Sequence, residues 1–212
     1  MKKKLLTLLI VVLGMSFSAA AQKRTTMPTF YKNYRSAVIT FSDGHKSKNA
    51  FTNVFLKNGS LLFLKGEQAM EANMSNIVAV DFDDRSFVAI DRKLAYLVDS
   101  VGSNALYCIE LFDKDTYERN LKNNVNISNL DFSADMVNTT TVDLNGEDDF
   151  KMPVFRHYYY LYNGEFVRVH EREIARHLKK EKRTMMKRIM ALPDFSWVDV
   201  NSLIQLLKAI SD

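Results

Sequence analysis

The stretch Val54-Phe-Leu-Lys-Asn-Gly-Ser-Leu-Leu-Phe-Leu64 decides the fold. Two apolar runs flank Asn58-Gly59, a pair that tolerates the positive φ values of a type I′ turn. Val54–Leu56 and Leu61–Phe63 are therefore expected to pair as a tight antiparallel hairpin. The same rhythm extends in both directions. Short apolar runs at Ala37–Phe41, Ala50–Leu56, Leu61–Leu64, Ile77–Phe82, Phe87–Ile90, Leu94–Val98 and Ala105–Phe112, with a weaker one near Gln68–Asn73, are separated by turn residues. Asp43-Gly44, Lys65-Gly66, Asp83-Asp84 and Gly102-Ser103 mark further reversals. Connections this short leave no room for crossover helices, so the sheet is antiparallel. Residues 35–113 are expected to form a small barrel or a sandwich.

Residues 22–34 read as an N-terminal linker. Residues 114–152 read as an irregular polar connection with one short helix at Asp115–Lys122, because apolar density falls there and Asn, Asp and Thr accumulate. Residues 153–212 begin with a second hairpin, Tyr158–Leu161 and Glu165–Val169 around Asn163-Gly164, and then become helical. Ile174, Ala175 and Leu178 form one apolar stripe and Met185, Met186, Ile189 and Met190 another, with the charged run Lys179–Arg183 between them. Beyond Pro193, Ser196 and Asp199 have the spacing of a capping box. Val200, Leu203, Ile204, Leu207 and Ile210 then define one apolar face of a last helix. The fold class is α+β, mainly β, with a C-terminal helical subdomain.

Residues 1–21 have the three parts of a secretory signal peptide: Lys2, Lys3 and Lys4, the apolar run Leu5–Leu13, and the small residues Ala19, Ala20 and Ala21 before the cut. The apolar run is too short to cross a hydrocarbon core of about 30 Å. No cysteine follows the cut, so a lipid anchor at that position is not expected, and the product is expected to be periplasmic or secreted. Removal of the three lysines takes the formal charge from +4 to +1. A nearly neutral chain gives little support for nucleic-acid binding, which depends on neutralising many phosphates. Cys108 is the single cysteine, and its apolar surroundings Ala105–Ile109 point to burial.

The signal peptide ending Ala-Gln, the element Ile39-Thr-Phe-Ser-Asp-Gly44, the tyrosine-rich hairpin Tyr158-Tyr-Tyr-Leu-Tyr-Asn-Gly164, the run Leu178-Lys-Lys-Glu-Lys-Arg183 and the closing Leu203-Ile-Gln-Leu-Leu-Lys208 together resemble secreted hypothetical proteins of Bacteroidota. That resemblance implies a cell-envelope protein and carries no catalytic residues with it.

Candidate chemistry is sparse. His170, Glu173 and His177 fall at i, i+3 and i+7, but two histidines about 10 Å apart along a helix do not reach one metal ion. Asp81–Asp84 and Asp143–Asp149 offer oxygens for calcium, but an EF-hand loop has its glycine sixth, whereas Gly146 is fourth from Asp143, and no glutamate closes the loop. A hydrolase would draw on Cys108 with a distant His157, or on a carboxylate pair such as Asp81 and Asp83. No glycine-rich phosphate loop is present. No catalytic residue, cofactor or metal is assigned.

Charge is unevenly distributed, with nine Lys or Arg against three acids from Arg168 to Arg188 and fifteen acids against six bases from Asp81 to Asp149. The expected binding surface is Tyr158, Tyr160 and Tyr162 with Arg172, Arg176, Lys179, Lys180 and Arg183. An exported, non-catalytic binding or assembly protein is the primary reading, its partner an envelope protein or an anionic surface. An extracytoplasmic hydrolase and a membrane-surface protein using the basic helix are the alternatives.

Overall fold

The computed structural model describes residue 25, residues 27–124 and residues 152–211. Residues 1–21, expected to be a signal peptide, Asp143–Asp149 and most of the 114–152 connection lie outside the described residues. The strands are β1 (Arg35–Phe41), β2 (Lys46–Phe55), β3 (Ser60–Lys65), β4 (Gln68–Glu71), β5 (Ile77–Phe82), β6 (Ser86–Ile90), β7 (Lys93–Val101), β8 (Asn104–Phe112), β9 (Val154–Tyr162) and β10 (Glu165–Arg168). The helices are α1 (Lys114–Asn124), α2 (Glu171–His177), α3 (Lys180–Met190) and α4 (Val200–Ser211). All ten strands belong to one antiparallel sheet in the order β10-β9-β8-β7-β6-β5-β1-β2-β3-β4. The chain is thus mainly β, and the sheet curls into a half-barrel whose edges are β4 and β10.

Curvature has identifiable causes. Register shifts interrupt the ladders at Arg35/Ala37, Thr40/Phe41 and Leu97/Asp99, and such bulges bend a strand and increase its twist. The β2–β3 turn is tied across the sheet: Leu94 N–H donates to the Gly59 carbonyl and Phe112 N–H to the Leu56 carbonyl, each at 2.7 Å. This turn departs from the expected two-residue form. Phe55 pairs with Ser60, so four residues make the reversal, and only Gly59 has positive φ, at +78°. Asn58 instead uses its side-chain oxygen to accept from Ser60 N–H at 3.1 Å. Asn163-Gly164 does make the two-residue turn, with φ of +51° and +85° between the paired Tyr162 and Glu165. Asp91 and Arg92 make another without glycine.

Residues 27–34 are not a free linker. Phe30 and Tyr31 enter the inner apolar cluster with Val54, Leu61, Val80, Phe87 and Leu94. Asn53, fully buried, binds them to the sheet: its oxygen accepts from Tyr31 N–H at 3.1 Å and its amide donates to the Tyr31 and Asn33 carbonyls at 2.8 and 3.2 Å. A buried amide must find such partners, and the N-terminal segment supplies them.

The second inner cluster joins β8 and β9 to the helices through Leu106, Cys108, Tyr158, Tyr160, Ile174, Leu178, Met186, Leu203, Leu206, Leu207 and Ile210. The charged run is not a spacer, since Lys180–Arg183 form the first turn of α3. The cap of α4 is Asp199, one turn later than expected: its Oδ2 accepts from Ser202 N–H at 2.8 Å and from Ser202 Oγ at 3.0 Å. Among the described residues, no helix is long and apolar enough to cross a membrane.

Candidate functional site

Side chains alternate along a strand, and that alternation sends Tyr158, Tyr160 and Tyr162 inward. None is a surface residue. Tyr160 is 1% exposed, and its hydroxyl donates to the Leu203 carbonyl at 2.7 Å, while Tyr162 donates to the Ile210 carbonyl at 3.1 Å. Burial raises the Tyr160 pKa. These tyrosines join sheet to helix, which removes the aromatic half of the expected binding surface.

The cationic half stands apart from this core. Arg172, Arg176, Lys179, Lys180 and Arg183 are all exposed, but they are not equally free. Arg176 Nη1 lies 2.8 Å from both oxygens of Glu173, and Arg183 Nε donates to the Leu178 carbonyl at 2.9 Å, closing the α2–α3 junction. Lys182 caps α4 by donating to the Ile210 carbonyl at 2.8 Å and the Ser211 carbonyl at 3.3 Å. Arg172, Lys179, Lys180, Lys187 and Arg188 form no ion pair within the described residues. Lys180, Arg183 and Lys187 lie at i, i+3 and i+7 of α3, with Arg188 one turn beyond Thr184 on the neighbouring line. The apolar side of α3 faces the core through Met186, Ile189 and Met190. An amphipathic helix needs that side for insertion into a bilayer, and here Met186 is buried and Ile189 and Met190 pack on the core, which leaves Met185 as the exposed member of the stripe.

Arg172 also lines an open cleft of ≈ 610 Å³, together with Val169, His170, Glu171 and Trp197. The chain turns from β10 into α2 there, with His170 as the cap, its Nδ1 accepting from Arg172 N–H at 3.3 Å. Trp197 is held edge to face against Phe195 at 5.0 Å between ring centres, and both pack on the helical core. Sequence reading missed Trp197, because its partners in the cleft come from a distant corner of the chain.

The other candidate centres are dispersed. His170 is engaged as a cap, Glu173 binds Arg176, and His177 Nδ1 lies 3.4 Å from Glu165. Glu173 thus pairs with Arg176 and not with His177, and among the described residues no group of three His, Cys, Asp or Glu is placed to hold a metal. Asp84 accepts from the Tyr31 hydroxyl at 2.8 Å and pairs with Arg35 at 3.0 Å, and Arg35 also reaches Asp83 at 3.5 Å and lies 4.2 Å over the Tyr31 ring. That turn anchors the N-terminal segment.

Cys108 pairs in register with Tyr158, and Ile109 with His157. The thiol and the imidazole thus project from opposite faces of the sheet, which no local motion brings together. Burial pushes the Cys108 thiol up to about 11, against the lowering effect of Tyr96 beside it. Nearby, the Tyr96 hydroxyl donates to Glu110 at 3.1 Å and Arg156 Nε to the same oxygen at 2.8 Å, while Arg85 covers the Tyr96 ring at 4.6 Å. The acid in this group is matched by hydrogen-bond donors and cations. It secures the junction of the two apolar clusters and offers no activated nucleophile.

No family model, curated protein or solved structure matches this chain.

Proposed function

We propose that this chain is an exported, non-catalytic binding or assembly protein of the cell envelope that engages its partner through the C-terminal helical subdomain. The observation that carries the reading is the set of exposed, unpaired cations of the helical subdomain, Lys180, Lys187 and Arg188 on α3, Lys179 just before it and Arg172 in an open cleft on α2, mounted on helices fixed to the sheet by a buried core. Binding residues on a rigid support lose little entropy when they engage a partner. Export rests on the pattern of residues 1–21, and kinship with secreted proteins of Bacteroidota rests on the residues quoted above. The hydrolase alternative is weakened by the opposed faces of Cys108 and His157 and by the engagement of Asp83 and Asp84 with Arg35. The membrane alternative loses most of its inserting face to the core and keeps Met185 and electrostatic attraction, about 1 kcal/mol per Lys or Arg near an anionic surface.

The test is recovery of cross-linked partners from the envelope fraction by the wild-type chain and by the charge-reversed variant Lys180→Glu/Lys187→Glu/Arg188→Glu. The wild type is expected to capture a partner at low salt, less of it when cross-linked at high salt, and the variant to lack it. Equal recovery by both overturns the assignment of the surface.

A further inference from the structure

The cleft at the β10–α2 corner has the makings of a ligand site, and we propose that it binds a neutral saccharide ring of the partner. This rests on the binding role proposed above and names its chemistry. The cleft is half open to solvent, and its ≈ 610 Å³ leaves room for a ring that stays partly exposed. Its lining combines an indole and Val169 with one carboxylate, Glu171, and one guanidinium, Arg172. Neither charged group has an ion-pair partner within the described residues. His170 adds a donor: Nδ1 accepts a backbone N–H, so in the neutral ring the proton is on Nε2.

Three ligand chemistries can be compared with this lining. An inorganic anion would meet Arg172 but also the repulsion of Glu171. A wholly apolar ligand would cover Trp197 while stripping water from both charged groups without replacing their hydrogen bonds, which is costly. A sugar ring satisfies all of them. Its C–H face carries slight positive charge and suits the negative face of the indole, and its hydroxyls both donate to Glu171 and accept from Arg172 and His170. Glu171 and Arg172 cancel in charge, which favours neutral sugars over uronic acids.

Trp197 is the chain's single tryptophan, so all tryptophan emission reports on this cleft. The purified protein is titrated with maltotriose, cellotriose, mannotriose and chitotriose, with inorganic phosphate as a counter-probe by emission and with indole as a counter-probe by calorimetry, since indole emits in the tryptophan band. At least one trisaccharide is expected to give a saturable change in emission, and phosphate none. By calorimetry, Arg172→Ala and Glu171→Gln, both exposed and tolerant of change, are expected to weaken that trisaccharide about tenfold or more, and Trp197→Phe to weaken it while preserving the melting transition. Saturation by indole or phosphate alone, by no probe, or with equal affinity in Arg172→Ala overturns the proposal. If sugars fail while salt-sensitive envelope capture persists, the cleft assignment falls and the binding role stands.

Discussion

Replacing Tyr160 with Phe removes one oxygen and leaves the ring in place. The hydroxyl is buried and donates to the Leu203 carbonyl at 2.7 Å. That carbonyl lies inside α4 and keeps its own helical partner, so no acceptor is stranded, and the loss is that of one buried hydrogen bond, about 1 kcal/mol. For a chain of this size, that corresponds to a fall of roughly 2–4 °C in the melting temperature. Tyr162→Phe should cost less, because Lys182 Nζ also donates to the Ile210 carbonyl. Combining it with Lys182→Met leaves that carbonyl without either donor, so the double variant should lose more than the sum of the two, by about 0.5 kcal/mol or more. Urea unfolding followed by circular dichroism reads these values, with the midpoint shifting and the slope unchanged. A surface tyrosine would tolerate the same exchange within about 0.5 kcal/mol. A Tyr160→Phe midpoint equal to wild type would refute the placement of α4 against β9.

Further perturbations test other joints of the fold. Tyr160 has a raised folded pKa because of burial, against about 10 when unfolded; its contribution is complete below pH 10 and lost above it, at about 1.4 kcal/mol per pH unit. Tyr160→Phe should therefore flatten the alkaline decline in urea-derived stability, and an unchanged decline would argue against burial of the phenol. Gly59→Ala should destabilise by about 1–3 kcal/mol, since φ is +78° and the added Cβ would stand 2.9 Å from Lys93 Cβ; a neutral result in thermal melts would dispute the tie between the β2–β3 turn and β7. Cys108 should be inert to a disulfide reagent at pH 8 in the native state and react fully in denaturant, because its thiol pKa is pushed up to about 11 and its side chain is buried. Rapid native labelling would contradict that burial.

Strand content was legible because it depends on local alternation and turn chemistry, and each expected run from Ala37–Phe41 to Ala105–Phe112 overlaps a strand. Features that depend on distant partners were not. Tyr158, Tyr160 and Tyr162 alternate as well on a wet face as on a dry one, and only the docking of α4 decides which. Residues 27–34 contain little apolar periodicity, and their place in the core is set by Asn53, whose need for partners shows only when it is seen to be buried. Asp91-Arg92 adopts positive φ without glycine, so composition gives no cue. Of the candidate site, the cations were readable as a charge run, whereas the cleft joins Val169–Arg172 to Trp197 through packing alone.

The most direct measurement of the central claim is envelope cross-linking by the wild-type chain and by Lys180→Glu/Lys187→Glu/Arg188→Glu, with matched folding confirmed by circular dichroism. A discrete partner is expected with wild type, lost in the variant and weakened by salt, as exposed charge pairing requires. Recovery of the same partner at the same yield by the variant would contradict it.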